Sequence, residues 1–157
     1  MSSYIFTFGT LYEPRIIQAL LGEMPPNELG YVSGYAVSKG IETDLPKKIK
    51  DDLSKKHRLS DFSFLYAHKT NNQRDKINGK IYKLTKQQES ILDAWERYPI
   101  WYKKDKTIVT TTGSKLVQSI IYIIDNPGKA IKRYKRVNGD METYIKNALI
   151  LRSSYLK

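Results

Sequence analysis

Leu92-Asp93-Ala94-Trp95-Glu96-Arg97-Tyr98-Pro99-Ile100-Trp101-Tyr102-Lys103 closes an amphipathic helix and then breaks into an aromatic-rich strand. The change of period falls at Pro99, because a proline disfavours helical dihedrals in the residue before it. Upstream, Thr85-Lys86-Gln87-Gln88 has the spacing of a capping box and starts this helix, which is expected to run to about Arg97. Before the cap, Ile77–Leu84 reads as a strand, and Gly79 inside it marks a close backbone approach. Strand, capped helix and strand in succession set the α+β pattern of the whole chain.

The same punctuation continues outward. Tyr4–Phe8 is a buried strand ending at Gly9, and Pro14 opens a short helix over Arg15–Leu21 that stops at Gly22. Leu29–Lys39 reads as one strand bent at Gly30 or Gly34. Glu42–Asn72 is dense in charge and is read as a short solvated helix, with Phe62, Phe64, Leu65 and Tyr66 returning to the core. Thr107–Thr112 and Leu116–Ile124 form a hairpin about Gly113-Ser114. Helices over about Lys129–Arg136 and Met141–Leu151 are expected to finish the chain. No repeat or linker divides residues 1–157, so the expectation is a single α+β domain with mostly antiparallel strands.

Composition limits the chemistry. A chain of 157 residues, 40% of them hydrophobic, supports a real core, burying roughly 68–70% of its unfolded surface. No apolar run has the length of a membrane span, and Ser2–Leu11, broken by Gly9, does not make a secretory signal; a cytosolic protein is expected. With no cysteine, thiolate nucleophiles, disulfides and cysteine-ligated metals are excluded. Two histidines, His57 and His68, are too few for a structural zinc site, and no metal is expected. Phosphate-binding loops, dinucleotide fingerprints and a G-x-S-x-G elbow are missing, so no cofactor is expected. Carboxylates, hydroxyls and backbone groups must carry any reaction.

On a helix ending near Arg97, Ile91, Leu92 and Trp95 define the apolar stripe. Glu96 falls about 90° from its centre and Asp93 about 150° away. Glu96 thus flanks the buried face, where desolvation lifts a carboxyl toward an acid/base value. Asp93 is expected to face solvent or brace nearby backbone. The turn at Phe8-Gly9-Thr10-Leu11 lets successive amides converge into a concavity suited to a carboxylate, or is an ordinary strand-to-helix connection.

These segments resemble the gamma-glutamylcyclotransferase-like family, which includes gamma-glutamylamine cyclotransferases and plant avirulence-induced relatives. The matches run in the family's order. Phe8-Gly9-Thr10-Leu11 is similar to its aromatic-Gly-Thr-Leu loop, and Ile77–Tyr82 to its V-x-G-x-L-Y strand. Leu92–Glu96 is similar to its L-D-x-x-E, and Tyr102-Lys103 to its Y-x-R/K. Together they cover most of Tyr4 to Ile124. The first-loop aromatic is usually tyrosine, so Phe8 departs by one hydroxyl, and the segment after Gly40 is more charged than in most members.

The resemblance implies a small mixed, mostly antiparallel β-barrel with flanking helices and a pocket at its mouth. It implies ring closure of a γ-glutamyl group to 5-oxoproline with release of an amine, the substrate being a γ-glutamyl amine, peptide or isopeptide. Glu96 matches the essential glutamate. Phe8, Gly9, Thr10 and Leu11 match the substrate-holding loop, and Tyr102 is read either as part of the pocket wall or as a plain core residue.

The formal net charge of +11 points to an acidic substrate or partner, or to a plain lysine-rich surface. Lys129, Lys132, Arg133 and Arg136 share one face if their segment is helical. That face offers nucleic acid a set of phosphate contacts, with Tyr134 for stacking. A solvated surface is favoured over that partner, because Asp140 and Glu142 follow closely. The rival to an enzyme is thus an altered or inactive member that binds an acidic partner through its pocket or basic helix.

Overall fold

A computed structural model describes residues 2–41, 44–54, 63–126, 128–137 and 140–155; His57 and Phe62 lie outside them. Among the described residues are seven strands: β1 (Ser2–Thr7), β2 (Asn27–Ser33), β3 (Tyr35–Ile41), β4 (Ser63–Lys69), β5 (Lys76–Thr85), β6 (Lys103–Thr111) and β7 (Leu116–Ile123). Four helices accompany them: α1 (Pro14–Leu21), α2 (Lys47–Ser54), α3 (Lys86–Trp95) and α4 (Met141–Tyr155). A 3-10 turn, Thr10–Tyr12, joins β1 to α1. No helix among the described residues is long and apolar enough to cross a membrane.

The strands run in the order β1-β5-β2-β6-β7, and β7 returns to β1. Five strands therefore close on themselves as a barrel. The closing pair is parallel, with Ile5 opposite Ile120 and Phe6 opposite Ile121. β4 adds to β7 in parallel at Ala67 and Ile123, and β3 pairs antiparallel with β4 outside the ring. The other pairings are antiparallel. This is the mixed, mostly antiparallel α+β barrel expected.

Strand alternation divides the core in two. Phe6, Ile81 and Ile121 join Val32, Ile77 and Val109 in one cluster. Their neighbours Ile5, Tyr82 and Tyr122 belong to a second, with Ile16, Ile17 and Leu20 of α1, Leu92 of α3 and Ala148 of α4. The barrel thus fills its interior with one set of side chains and carries α1, α3 and α4 on the other. Gly79 is what lets β1 and β5 meet: a Cβ there would stand 2.2 Å from the Thr7 carbonyl and 2.6 Å from the Phe6 ring.

Several expectations are corrected. Leu29–Lys39 is two strands, because Gly34 takes φ +85° and sends the chain from β2, paired with β5 and β6, into β3, paired with β4. Within Glu42–Asn72 the short helix is present as α2, but the return through Phe64, Leu65 and Tyr66 is the strand β4. His68, on that strand, is 5% exposed, and neither ring nitrogen has a partner among the described residues.

Residues 128–137 are not helical. Their backbone is captured by distant strands instead: Ile131 N–H donates to Val37 O at 2.8 Å, and Ser38 Oγ donates to Lys129 O at 2.9 Å. Lys129, Lys132, Arg133 and Arg136 therefore share no helical face, and the Tyr134 ring stands edge-on to Phe8 at 6.4 Å. The last helix extends beyond Leu151 to Tyr155 and lies against α1.

Candidate active site

The two motifs come together because β1 and α3 end on the same side of the barrel. The capping box forms as read, with Thr85 Oγ1 accepting from Gln88 N–H and Gln88 Oε1 accepting from Thr85 N–H. At its other end α3 stops at Trp95, with Glu96 as C-cap in helical dihedrals (φ −81°, ψ −4°). Arg97 then turns left-handed at φ 56°. Tyr98 N–H reaches back to Asp93 O at 2.9 Å and Arg97 N–H to Ala94 O at 3.2 Å. This is a Schellman close with arginine in the position glycine usually holds. Because Glu96 keeps helical dihedrals, its side chain leaves the helix on the flank that periodicity assigns.

Glu96 lines a cleft of about 840 Å³. Phe8, Gly9, Thr10, Leu11 and Tyr102 line the same cleft, so every site residue named from the sequence is gathered at one place. Burial pushes the Glu96 carboxyl up to about 7, and the nearby Asp93 carboxylate adds to the effect. Asp93 does not face solvent freely. It accepts from Tyr122 Oη at 2.6 Å and from Lys104 Nζ at 2.8 Å, and Lys104 also reaches Glu89 at 2.7 Å. One carboxylate is thus hydrogen-bonded and fixed, while its neighbour three residues on is left to desolvation. Tyr102 donates its hydroxyl to Leu65 O at 3.0 Å, and burial followed by the Glu96 charge raises its phenol well above the usual range. Tyr102 therefore offers the cleft a protonated ring with its hydroxyl already engaged.

The loop after β1 is held from behind. Tyr82 Oη donates to Leu11 O at 2.9 Å, Lys80 Nζ to Tyr12 O at 3.3 Å, and Arg136 Nη1 to Phe8 O at 2.5 Å. Tyr12 N–H closes the turn onto Gly9 O at 3.0 Å. With these carbonyls engaged, the amides of Gly9, Thr10 and Leu11 have no acceptor among the described residues. A Cβ on Gly9 would meet nothing within 4 Å, so open space adjoins the turn. Trp95 Nε1 donates to Thr10 Oγ1 at 3.2 Å, fastening the residue before Glu96 to the loop.

Lys80, Tyr82, Trp95 and Arg136 were not singled out as parts of this site from the sequence. Lys80 and Tyr82 had a usable signal, being two apart on one strand and so on one face. Arg136 had none, since the loop it holds is 128 residues away. Among the described residues, no group of three or more His, Asp or Glu side chains is placed to hold a metal ion.

Comparisons with known proteins bear on the family and the fold. A family model described as "Gamma-glutamyl cyclotransferase, AIG2-like" matches residues 5–143. No curated protein sequence matches the chain. Among solved structures, an Arabidopsis thaliana protein is 15% identical with a TM-score of 0.61, over 85% of this chain and 76% of its own. A gamma-glutamyl cyclotransferase is 13% identical with a TM-score of 0.61, over 80% and 68%. An AIG2-like protein from Mus musculus is 17% identical with a TM-score of 0.51, over 78% and 77%. At these identities the likeness is one of fold.

Proposed function

As the chain belongs to the gamma-glutamyl cyclotransferase, AIG2-like family, we propose that it releases 5-oxoproline and a free amine from a γ-glutamyl amine, peptide or isopeptide, with Glu96 as general acid/base. The observation that carries this reading is the gathering of Glu96 and the Phe8–Leu11 turn in one cleft.

The substrate brings its own nucleophile. Glu96, ionised, takes a proton from the α-ammonium. The freed nitrogen attacks the γ-carbonyl carbon, forming the ring C–N bond and a tetrahedral oxyanion. As the oxyanion collapses, the bond to the departing nitrogen breaks and Glu96 returns the first proton to that nitrogen. The ring nitrogen then gives up its second proton through Glu96 to the released amine, which leaves as an ammonium. A carboxyl lifted to about 7 suits both transfers, because either form is reached at little cost near neutral pH. The amides of Gly9, Thr10 and Leu11 hold the γ-glutamyl group in its folded, reactive shape. An oriented intramolecular attack of this kind gains an effective molarity on the order of 10⁵ M or more.

The test is 5-oxoproline release from a panel of γ-glutamyl amino acids, γ-glutamyl amines and γ-glutamyl-lysine isopeptide, with Glu96→Gln alongside. The wild type is expected to turn over at least one class, and the variant to lose about 10²-fold or more while staying folded. A folded wild type with no product from any class overturns the reading.

A further inference from the structure

Arg136 stands at the loop end of the cleft, and the reaction just described leaves it without a task. Its guanidinium lies 3.8 Å from the Tyr12 ring centroid and donates through Nη1 to Phe8 O, with Asn78 O at 3.4 Å. The Tyr134 hydroxyl lies against the same group. Lys80, 9% exposed, holds its ammonium 4.6 Å from the same Tyr12 ring. Burial and then the Arg136 charge hold the Lys80 ammonium below its usual range, with Glu13 opposing them. Lys135 lines the cleft beside Arg136.

The partners of Arg136 are thus two carbonyls, one ring face and a phenol. No carboxylate pairs with it among the described residues, although seven such pairs form elsewhere. Guanidinium presents a planar fork of donors suited to carboxylate. Here the guanidinium is held by the Tyr12 ring and by Phe8 O of the turn that leaves three amides without acceptors, with Asn78 O of β5 beside the same nitrogen. A cation without a counter-ion, fixed beside such amides at a cleft wall, is a built receptor for a small carboxylate.

We propose that Arg136 recognises the α-carboxylate of the γ-glutamyl group and restricts the protein to substrates in which that carboxylate is free. The inference rests on the cyclotransferase reading for the identity of the carboxylate. It adds that a γ-glutamyl compound whose α-carboxyl is amidated is a poor substrate, whatever amine it carries.

The experiment compares each carboxylate ligand with its carboxamide counterpart, in the wild type, Arg136→Gln and Arg136→Lys. Turnover is read on a γ-glutamyl amine and on the same compound with an α-carboxamide. Binding is read by calorimetry on 5-oxoproline and on 5-oxoprolinamide. The wild type is expected to prefer the carboxylate by about 10- to 100-fold in kcat/KM and in affinity, as a charge-assisted contact allows. Arg136→Gln loses that preference, mainly through KM, and Arg136→Lys keeps part of it. If Arg136→Gln weakens both ligands of a pair equally, the side chain merely braces the loop and the proposal fails. It fails too if the wild type shows no preference. Should calorimetry show the preference and its loss while no substrate is turned over, the carboxylate receptor stands and the enzymatic reading falls.

Discussion

Glu96 is the residue whose energetics bear most directly on activity. Folding raises its carboxyl from an ordinary 4.5 to about 7. The folded chain therefore binds more protons than the unfolded chain between those values, and stability falls as pH rises through that window. Removing the charge lifts the penalty above pH 7 and changes nothing below pH 4. Glu96→Gln should gain up to about 3 kcal/mol over the wild type at pH 8 and nothing at pH 4. Urea melts at the two pH values measure this; equal stabilisation at both would mean that desolvation is not what lifts the carboxyl. Wild-type kcat/KM for 5-oxoproline release should rise with pH to a half-point near 7, as the base form appears.

Helix α3 joins two ends with separate duties. Its start is a capping box, which stabilises, and its finish is the close that aims Glu96. Arg97 accepts a left-handed turn costing about 1 kcal/mol, and its guanidinium pairs with Asp52 of α2 at 3.1 Å. Since the finish is held by the Asp93, Lys104 and Tyr122 contacts, loosening the start should leave the chemistry alone. Thr85→Ala should cost about 1 kcal/mol of stability and leave 5-oxoproline release per folded molecule unchanged. A fall in kcat matching the loss of stability would show that the ends are coupled.

Other elements differ in how plainly the sequence announces them. The strand around Gly79, the cap at Thr85 and the hairpin at Gly113-Ser114 rest on local rules and are found where those rules put them. β4 was obscured because it follows a charged stretch and has only seven residues with which to declare a period. Residues 128–137 have helical spacing of charge, yet contacts with Val37, Ser38 and Phe8 outweigh it. At the site, Glu96 and the Phe8–Leu11 turn could be named from a motif, whereas their supports come from strands and loops far away in sequence.

At the scale of the molecule, closure of the barrel is what keeps the site together, because β1 is paired on both edges and leads directly into the loop. On its other edge β1 meets β5 closely at Gly79. Gly79→Ala should cost about 3 kcal/mol, since the new methyl meets a backbone oxygen that cannot turn aside. Gly9→Ala, with nothing within 4 Å, should cost under about 0.5 kcal/mol and act on substrate affinity instead. Urea midpoints for the two variants decide it: similar losses would mean that β1 has room to move off β5.

The chain has two tryptophans, Trp95 and Trp101, and both line the cleft. Trp95 bonds to Thr10 of the loop after β1, and Trp101 meets Phe64 edge-on and Tyr102 at a tilt. Indole emission responds to the polarity and hydrogen bonding of its surroundings, so the tryptophan fluorescence of this protein originates at its candidate site. The molecule carries its own optical probe of that cleft, and occupancy can be followed without a label.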